Sequence, residues 1–491
     1  MDQFYDAILP LLNIKPLLAL FLATSLGVVI GALPGLTTTM GVALLVGVAS
    51  AMPMTYTFVT LLGVFVGGVY GGSISAILLN IPGTPSAAAT ALDGYPFCLQ
   101  GRAPFAIKVT RLSSVIGTFI GVLLLALMTP LLAQIALQFT SPEFFALGLF
   151  GVMICGSITC PDLTIKGWIG ALLGMLVAFV GLDDMEGAQR YTAGIPDLMS
   201  GISIIPVMIG LYAIPEIVGY YCKITEVPPA CVRMDFSSAG VVFRRIMKRG
   251  RLIIQSALVG VGLGILPGVG EDVSAWVAYD LAKKTSKEPE KFGNGSEEGI
   301  IAPEVANNAG VGGSLIPMLI LGIPGSPPAA ILLGALMLHG IKPGPMIELE
   351  HPGFILHMVC ILFLAVLMLW VAANLILYPL MLILRVSRSY LIPCIAAFAC
   401  IGAYAINLSA FDFIVVIVAG IIGFLMKLMG YSPAPVALGM ILGKMIDVKF
   451  RTTLMFNDGS FMPFFTRPIA CVFLLIVFYL IIKNVIRLKK M

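Results

Sequence analysis

Glu271 and Asp272 follow directly on Gly264-Ile-Leu-Pro-Gly-Val-Gly270, two carboxylates beside a proline–glycine break in an otherwise apolar stretch. Acids in such surroundings can hold a cation or relay a proton, although an acid at a helix start also serves as a plain cap. A second break, Gly31-Ala-Leu-Pro34-Gly35-Leu36, carries the hydroxyls Thr37, Thr38 and Thr39 in place of acids. Two more breaks set glycine beside hydroxyl and proline: Asn80-Ile-Pro-Gly83-Thr84-Pro85-Ser86 and Ile323-Pro-Gly325-Ser326-Pro327. Asn307 and Asn308 lie well upstream of the last of these. An amide can both donate to a carboxylate and accept in a cation's shell, or simply bond a neighbouring helix.

Proline removes a backbone donor and glycine tolerates dihedrals that other residues avoid. In hydrocarbon the freed carbonyls and amides must find protein, water or ligand. Thr84-Pro85 and Ser326-Pro327 read as an N-cap hydroxyl followed by proline at the first helical position. New helix N-termini suit a carboxylate, and unwound carbonyls with helix C-termini suit a cation. The candidate substrate contacts are therefore Thr37, Thr38, Thr39, Asn80, Gly83, Thr84, Ser86, Asn307, Asn308, Gly325 and Ser326. The candidate cation contacts are Pro34, Gly35, Gly268, Gly270, Glu271 and Asp272, with Na+ or H+ as coupling ion. Kinking for packing alone is the alternative for each break.

The elements that must carry these breaks are membrane helices. Of 491 residues 59% are apolar and 11% charged, against roughly 45–50% and about 25% in soluble domains. Mean hydropathy is +1.03. No charge stands between Lys15 and Asp93, and Leu112–Pro142 and Pro352–Leu384 are uncharged as well; each exceeds the ~20 residues that span hydrocarbon. The N-terminus MDQFYD is acidic, so the first apolar segment reads as retained. Nine cysteines in no paired spacing and three histidines suggest neither zinc nor a disulfide framework. No cofactor, no metal beyond Na+ and no nucleic acid is implied.

Basic clusters at Lys223–Arg251, Lys283–Lys291, Arg102–Arg111, Arg385–Arg388 and Lys483–Lys490 are cytoplasmic by the positive-inside rule, which puts the C-terminus inside. The acidic stretches Asp183–Asp197 and Glu348–Glu350 then fall outside. Four apolar segments, 112–138, 143–160, 165–181 and 198–220, connect these faces consistently, with the turn at Asp162 and Lys166 inside.

The breaks also reveal a repeat. Gly31-Ala-Leu-Pro-Gly returns as Gly264-Ile-Leu-Pro-Gly, and Gly71-Gly-Ser73 with Ile81-Pro-Gly returns as Gly312-Gly-Ser314 with Ile323-Pro-Gly. The charge signs around the copies are exchanged: the first has an uncharged middle turn and a basic end, the second a lysine-rich turn and acidic end. The expected fold is an all-α polytopic membrane protein of two inverted-topology repeats with re-entrant hairpins and broken spans, an elevator-type transporter. Residues 1–220 form the first repeat (hairpin 16–53, broken span 58–97, four spans), 221–251 a basic linker, and 252–491 the second (hairpin 252–283, broken span 300–339, further spans).

Tyr70-Gly-Gly-Ser-Ile-Ser-Ala-Ile-Leu-Leu-Asn-Ile-Pro-Gly-Thr-Pro85, Ala91-Leu-Asp-Gly-Tyr-Pro96, Ala302-Pro-Glu-Val-Ala-Asn-Asn-Ala309 and Leu321-Gly-Ile-Pro-Gly-Ser326 closely resemble the large membrane subunit of tripartite tricarboxylate transporters. The resemblance covers most of the chain and departs at Thr38, where a smaller residue such as Ala is expected. It implies a bacterial inner-membrane symporter subunit for an organic carboxylate, working with a small membrane subunit of about four helices and a periplasmic solute-binding protein. Association with further copies, as a homo-oligomer, is compatible with it. A stand-alone exchanger or channel is the alternative. An enzyme is not expected: Glu271 and Asp272 are adjacent and share no helix face, and no phosphate-binding GxxxxGK[ST] loop exists.

Overall fold

The computed structural model describes residues 5, 7–33, 36–160, 163–222, 239–376, 393, 396–397, 400–401, 403–404 and 408–488. Pro34, Gly35, Asp162, most of the 221–251 linker, the Arg385–Arg388 cluster, Lys489 and Lys490 lie outside them.

The first half contains α1 (Ile14–Ala32), α2 (Thr38–Ser50), α3 (Met54–Leu79), α4 (Ala87–Leu99), α5 (Ala103–Ala136), α6 (Ser141–Thr159), α7 (Thr164–Ala178) and α8 (Ile204–Cys222). The second contains α9 (Ala239–Met247), α10 (Gly250–Gly264), α11 (Gly270–Thr285), α12 (Glu297–Leu321), α13 (Pro327–Leu338), α14 (Phe354–Leu375), α15 (Phe411–Leu428), α16 (Ala434–Met455) and α17 (Pro468–Leu488). A two-residue ladder, Gly181–Leu182 with Gln189–Arg190, is the sole sheet among the described residues. Six helices, α1, α3, α5, α6, α14 and α15, are long and apolar enough to cross a membrane. The chain is a multi-pass helical protein.

Its centre is α3, whose apolar window is wholly buried, whereas α5 exposes Leu123, Leu127 and Leu131 at i,i+4 spacing, the stripe a lipid-facing helix presents. Lipid gives helices little hydrophobic reason to associate, so small residues that admit close backbone contact decide their register. A methyl group at Gly27 would stand 2.8 Å from Val64 Cα, and one at Gly71 would stand 3.0 Å from Ala32 N. Both numbers rise together, so α1 runs parallel to α3. Helix α2 runs back: Thr38 packs on Gly68, Gly41 faces Val64, and Thr57 Oγ1 donates to Ala49 O at 2.7 Å. Residues 14–50 thus form a hairpin.

The second half repeats this pattern. Gly260 abuts Ala306, and a methyl at Gly313 would stand 2.8 Å from Val261 Cα, which makes α10 parallel to α12. Helix α11 reverses, with Gly310 against Glu271 and Ser274 Oγ donating to Ala306 O at 3.3 Å. Between the halves, Asp93 in the middle of α4 bonds Ser296 at the start of α12, while Thr57 at the start of α3 bonds His339 just past α13 (3.0 Å). The end of each broken span therefore lies beside the beginning of the other, and the two run antiparallel.

Candidate functional site

Each break is a return, not a kink. Helix α3 ends on Asn80 in the left-handed region (φ +53°), and the chain folds back until Gly83 N donates to Gly72 O at 3.2 Å. Helix α12 ends on Gly322 (φ +69°), and Gly325 N donates to Ser314 O at 3.1 Å. At Gly83 a β-carbon would run into Gly31 O, and at Gly325 into Gly264 O. Both glycines mark points where hairpin tip, span and break meet backbone to backbone, an approach only glycine permits.

The restarts are capped by the expected hydroxyls. Ser326 Oγ accepts from Ala329 N (3.4 Å) and Thr37 Oγ1 from Met40 N (3.2 Å). Thr84 Oγ1 accepts from Ala87 N (3.3 Å) and lies 3.0 Å from Ser86 Oγ, with the regular turns of α4 beginning at Ala87. After Thr37 this leaves the first amides of α2 available, whereas Pro85, Pro327 and Pro328 carry no N–H at the other two restarts.

All four breaks line one cavity of about 400 Å³. The first half contributes Thr37, Thr39 and Pro85; the second contributes Gly268, Val269, Asp272 and Pro327. The opposite wall comes from Thr159 of α6, Tyr212 and Pro215 of α8, Lys427 of α15 and the Tyr431–Ala434 turn. The volume is that of a small-molecule site. Ser86 N donates to Asp272 Oδ1 at 3.2 Å, linking the first-half break to the second-half tip. Glu271 bonds Ser326 through its side chain, leaves Oε2 without a partner, and follows Gly270 (φ +62°), where a methyl would stand 2.8 Å from Ser326 Cβ. Gly268 (φ +72°) donates to Pro324 O at 3.4 Å, so the second tip rests on its own break.

Other sequence candidates are not brought to this cavity. Asn80 is exposed and caps α3, where its left-handed dihedral, as at Gly322, accounts for the residue. Thr38 is buried against Gly68, its Oγ1 without a partner. Asn308 donates to Glu304 O (2.9 Å) and accepts from Thr118 of α5 (3.4 Å), an interhelical bond. Asn307 is buried with neither side-chain polar atom paired. Pro34 and Gly35 lie outside the described residues.

Sequence reasoning passed over three residues. Lys427 is the sole charge between Asp412 and Lys444, and that isolation was the signal. Asp93 Oδ1 accepts from the amides of Gly293, Gly295 and Ser296 (2.9, 2.9 and 2.6 Å), and Oδ2 from Tyr279 Oη (2.9 Å). Glu304, a fully buried acid, is bonded only by hydroxyls among the described residues. It stands in the Ala302–Ala309 motif, where an intramembrane acid is a suspect by default.

Residues 17–438 match the family described as "Tripartite tricarboxylate transporter TctA family". An Agrobacterium vitis protein described as "Uncharacterized 52.8 kDa protein in TAR-I ttuC' 3'region" is 37% identical over 459 residues, 92% of this chain and 89% of that protein. A second from the same organism, "Uncharacterized protein in TAR-II ttuC' 3'region", is 39% identical over 209 residues, 42% of this chain and 86% of that protein. No solved structure matches.

Proposed function

Because the chain belongs to the TctA family of tripartite tricarboxylate transporters, we propose that it imports an organic carboxylate of the di- or tricarboxylate class in symport with Na+ or H+. As a family member it is a large transmembrane transporter subunit, not an enzyme, in a system with a small membrane subunit and a periplasmic binding protein. In this reading it sits in a bacterial inner membrane with its C-terminus inside, and the binding protein hands the solute to it.

The observation that carries the reading is the single cavity walled by all four breaks. The helix start at Thr37 supplies amide donors to a carboxylate, and Lys427 supplies a counter-charge from the opposite wall. Asp272 and the carbonyls of the second tip face the same space and suit a cation. Inverted repeats account for the recurrence of hairpin, span and break, and for the antiparallel broken spans. An elevator motion would carry both hairpins and broken spans against α6, α8 and α15. Support comes from the backbone-tight junctions within each half, at Gly83 and Gly325. That wall adjoins the Lys166 turn, whose Nζ donates to Met429 O at 2.6 Å; by the charge reading it is the cytoplasmic side, which describes an inward-facing state.

Uptake of labelled citrate or tartrate into proteoliposomes holding all three components, with and without a Na+ or H+ gradient, tests this. Gradient-driven accumulation is expected. Accumulation indifferent to both gradients removes the symport claim, and full activity of the isolated chain removes the dependence on the binding protein.

A further inference from the structure

Glu304 of α12 is fully buried where α3, α4 and α5 converge. Ser73 Oγ of α3 and Thr90 Oγ1 of α4 donate to its Oε1, the latter at 2.6 Å, and Ser114 Oγ of α5, whose single proton is shared with Thr110 O at 2.9 Å, lies 2.8 Å from Oε2. An ionised carboxylate here has acceptor sites for all three hydroxyls. No cation of the chain pairs with it among the described residues. Arg111, three residues before Ser114, instead donates to Asn374 Oδ1 at 2.5 Å and lies over the Trp370 ring at 5.1 Å.

Two further buried groups lie one turn from these residues along their helices. Asn307, three residues on from Glu304 and so on the same face of α12, is 1% exposed, with neither Nδ2 nor Oδ1 partnered. Tyr70, three residues before Ser73 on α3, is fully buried with its hydroxyl unpartnered. Buried polar groups are ordinarily bonded, and orphans beside a charge indicate an ion or water.

We infer that Glu304, Ser73, Thr90 and Ser114 form a Na+ site, with the Asn307 amide oxygen completing its shell. A monovalent ion leaves the pocket neutral; a divalent one would leave a net positive charge in a low-dielectric seam. The hydroxyls turn from donating to the carboxylate to offering lone pairs, and hard oxygen ligands suit a hard cation. The ligands come from α3, α4 and α5 of the first half and α12 of the second, so occupancy ties the two halves together. The inference rests on the transport reading for its consequence, coupling, and not for the binding itself.

The test uses the full chain in detergent, following thermal unfolding by tryptophan fluorescence while NaCl replaces choline chloride at constant ionic strength. A saturable rise of the midpoint with Na+ is expected. Glu304→Gln should abolish the rise, and Thr90→Val or Ser114→Ala should shift half-saturation at least tenfold, whereas Asp280→Asn, at an exposed acid paired with Lys284, should leave it in place. Should Glu304→Gln fail to fold, the two hydroxyl variants decide. No saturable response in wild type, unchanged half-saturation in both hydroxyl variants, or loss in Glu271→Gln alone overturns the assignment. Saturable Na+ binding without carboxylate uptake by the reconstituted system would sink the transport reading while leaving the site intact.

Discussion

Asp93 offers the sharpest test of how the two broken spans are joined. Its carboxylate takes three amides from the Gly293–Ser296 turn and the hydroxyl of Tyr279, all within 2.9 Å. Asp93 is itself fully buried and presses on Gly299. Removing it in Asp93→Ala strands three amides and a phenol away from water. A hydrogen bond to a charged group nets about 1.5–3 kcal/mol, but such bonds to one acceptor do not add fully, and removing one member of a buried charged network costs about 3–5 kcal/mol. Asp93→Asn keeps an oxygen for the three amides and turns an NH2 toward Tyr279, whose oxygen can accept, so its cost should be about 1–2 kcal/mol. Tyr279→Phe loses one bond, about 1 kcal/mol. At about 2 °C per kcal/mol for a large domain, Asp93→Ala should lower the unfolding midpoint by about 6–10 °C and the other two by no more than about 4 °C. Fluorescence-monitored melting of the purified chain measures this ladder. An Asp93→Ala midpoint within about 2 °C of wild type would refute the staple, and an Asp93→Asn as damaging as Asp93→Ala would show that charge, rather than acceptor geometry, is what the turn requires.

Asn80→Gly should leave melting and carboxylate uptake near wild type, whereas Asn80→Val should cost about 1–2 kcal/mol because a β-branched residue resists the left-handed dihedral; abolished uptake in a normally melting Asn80→Gly would return Asn80 to the list of ligands. Lys427→Gln should raise the KM for carboxylate uptake about tenfold or more, the loss of one charge-assisted bond of about 1.5 kcal/mol, and an unchanged KM would remove Lys427 from the site. In the loop after α7, Arg451 grips Asp183 at 2.5 and 2.9 Å and holds its carboxyl down at about 2. A depressed carboxyl contributes stability that is complete above the ordinary carboxylate value of about 4 and is lost as pH falls through about 2. The melting midpoint should therefore decline between about pH 4 and 2, and Arg451→Gln should flatten that decline; an equally steep fall in the variant assigns it to other acids.

What the sequence made legible follows from which residues carry backbone meaning. Proline and glycine state where a helix must stop: α3 and α12 end just ahead of the two Ile-Pro-Gly segments, and α10 ends just ahead of Pro267-Gly268. Hydroxyl-then-proline states where the next helix starts, and Ser326 and Thr84 cap as that order requires. Side-chain roles are less legible, because the same residue type answers two different physical demands. An amide beside a break reads as a ligand, yet at Asn80 the demand is a left-handed dihedral, which the matching Gly322 makes plain only once the two halves are laid side by side. An acid beside a tip reads as the intramembrane carboxylate of interest, a description that Glu271 and Asp272 meet from sequence alone. Glu304 sits mid-helix, where no local pattern distinguishes it; its meaning arises from Ser73, Thr90 and Ser114, which are remote in sequence and meet only through tertiary packing. The cavity's far wall is illegible for the same reason, since nothing in α8 or in the Lys427–Ala434 stretch announces that it will face the tips. Local chemistry thus places the backbone breaks, and the side chains that surround them come from helices whose adjacency only the fold decides. Of the buried acids without an ion pair among the described spans, Asp93 is held by amides and a phenol and Glu271 sits at a tip, whereas Glu304 is met only by hydroxyls from three other helices.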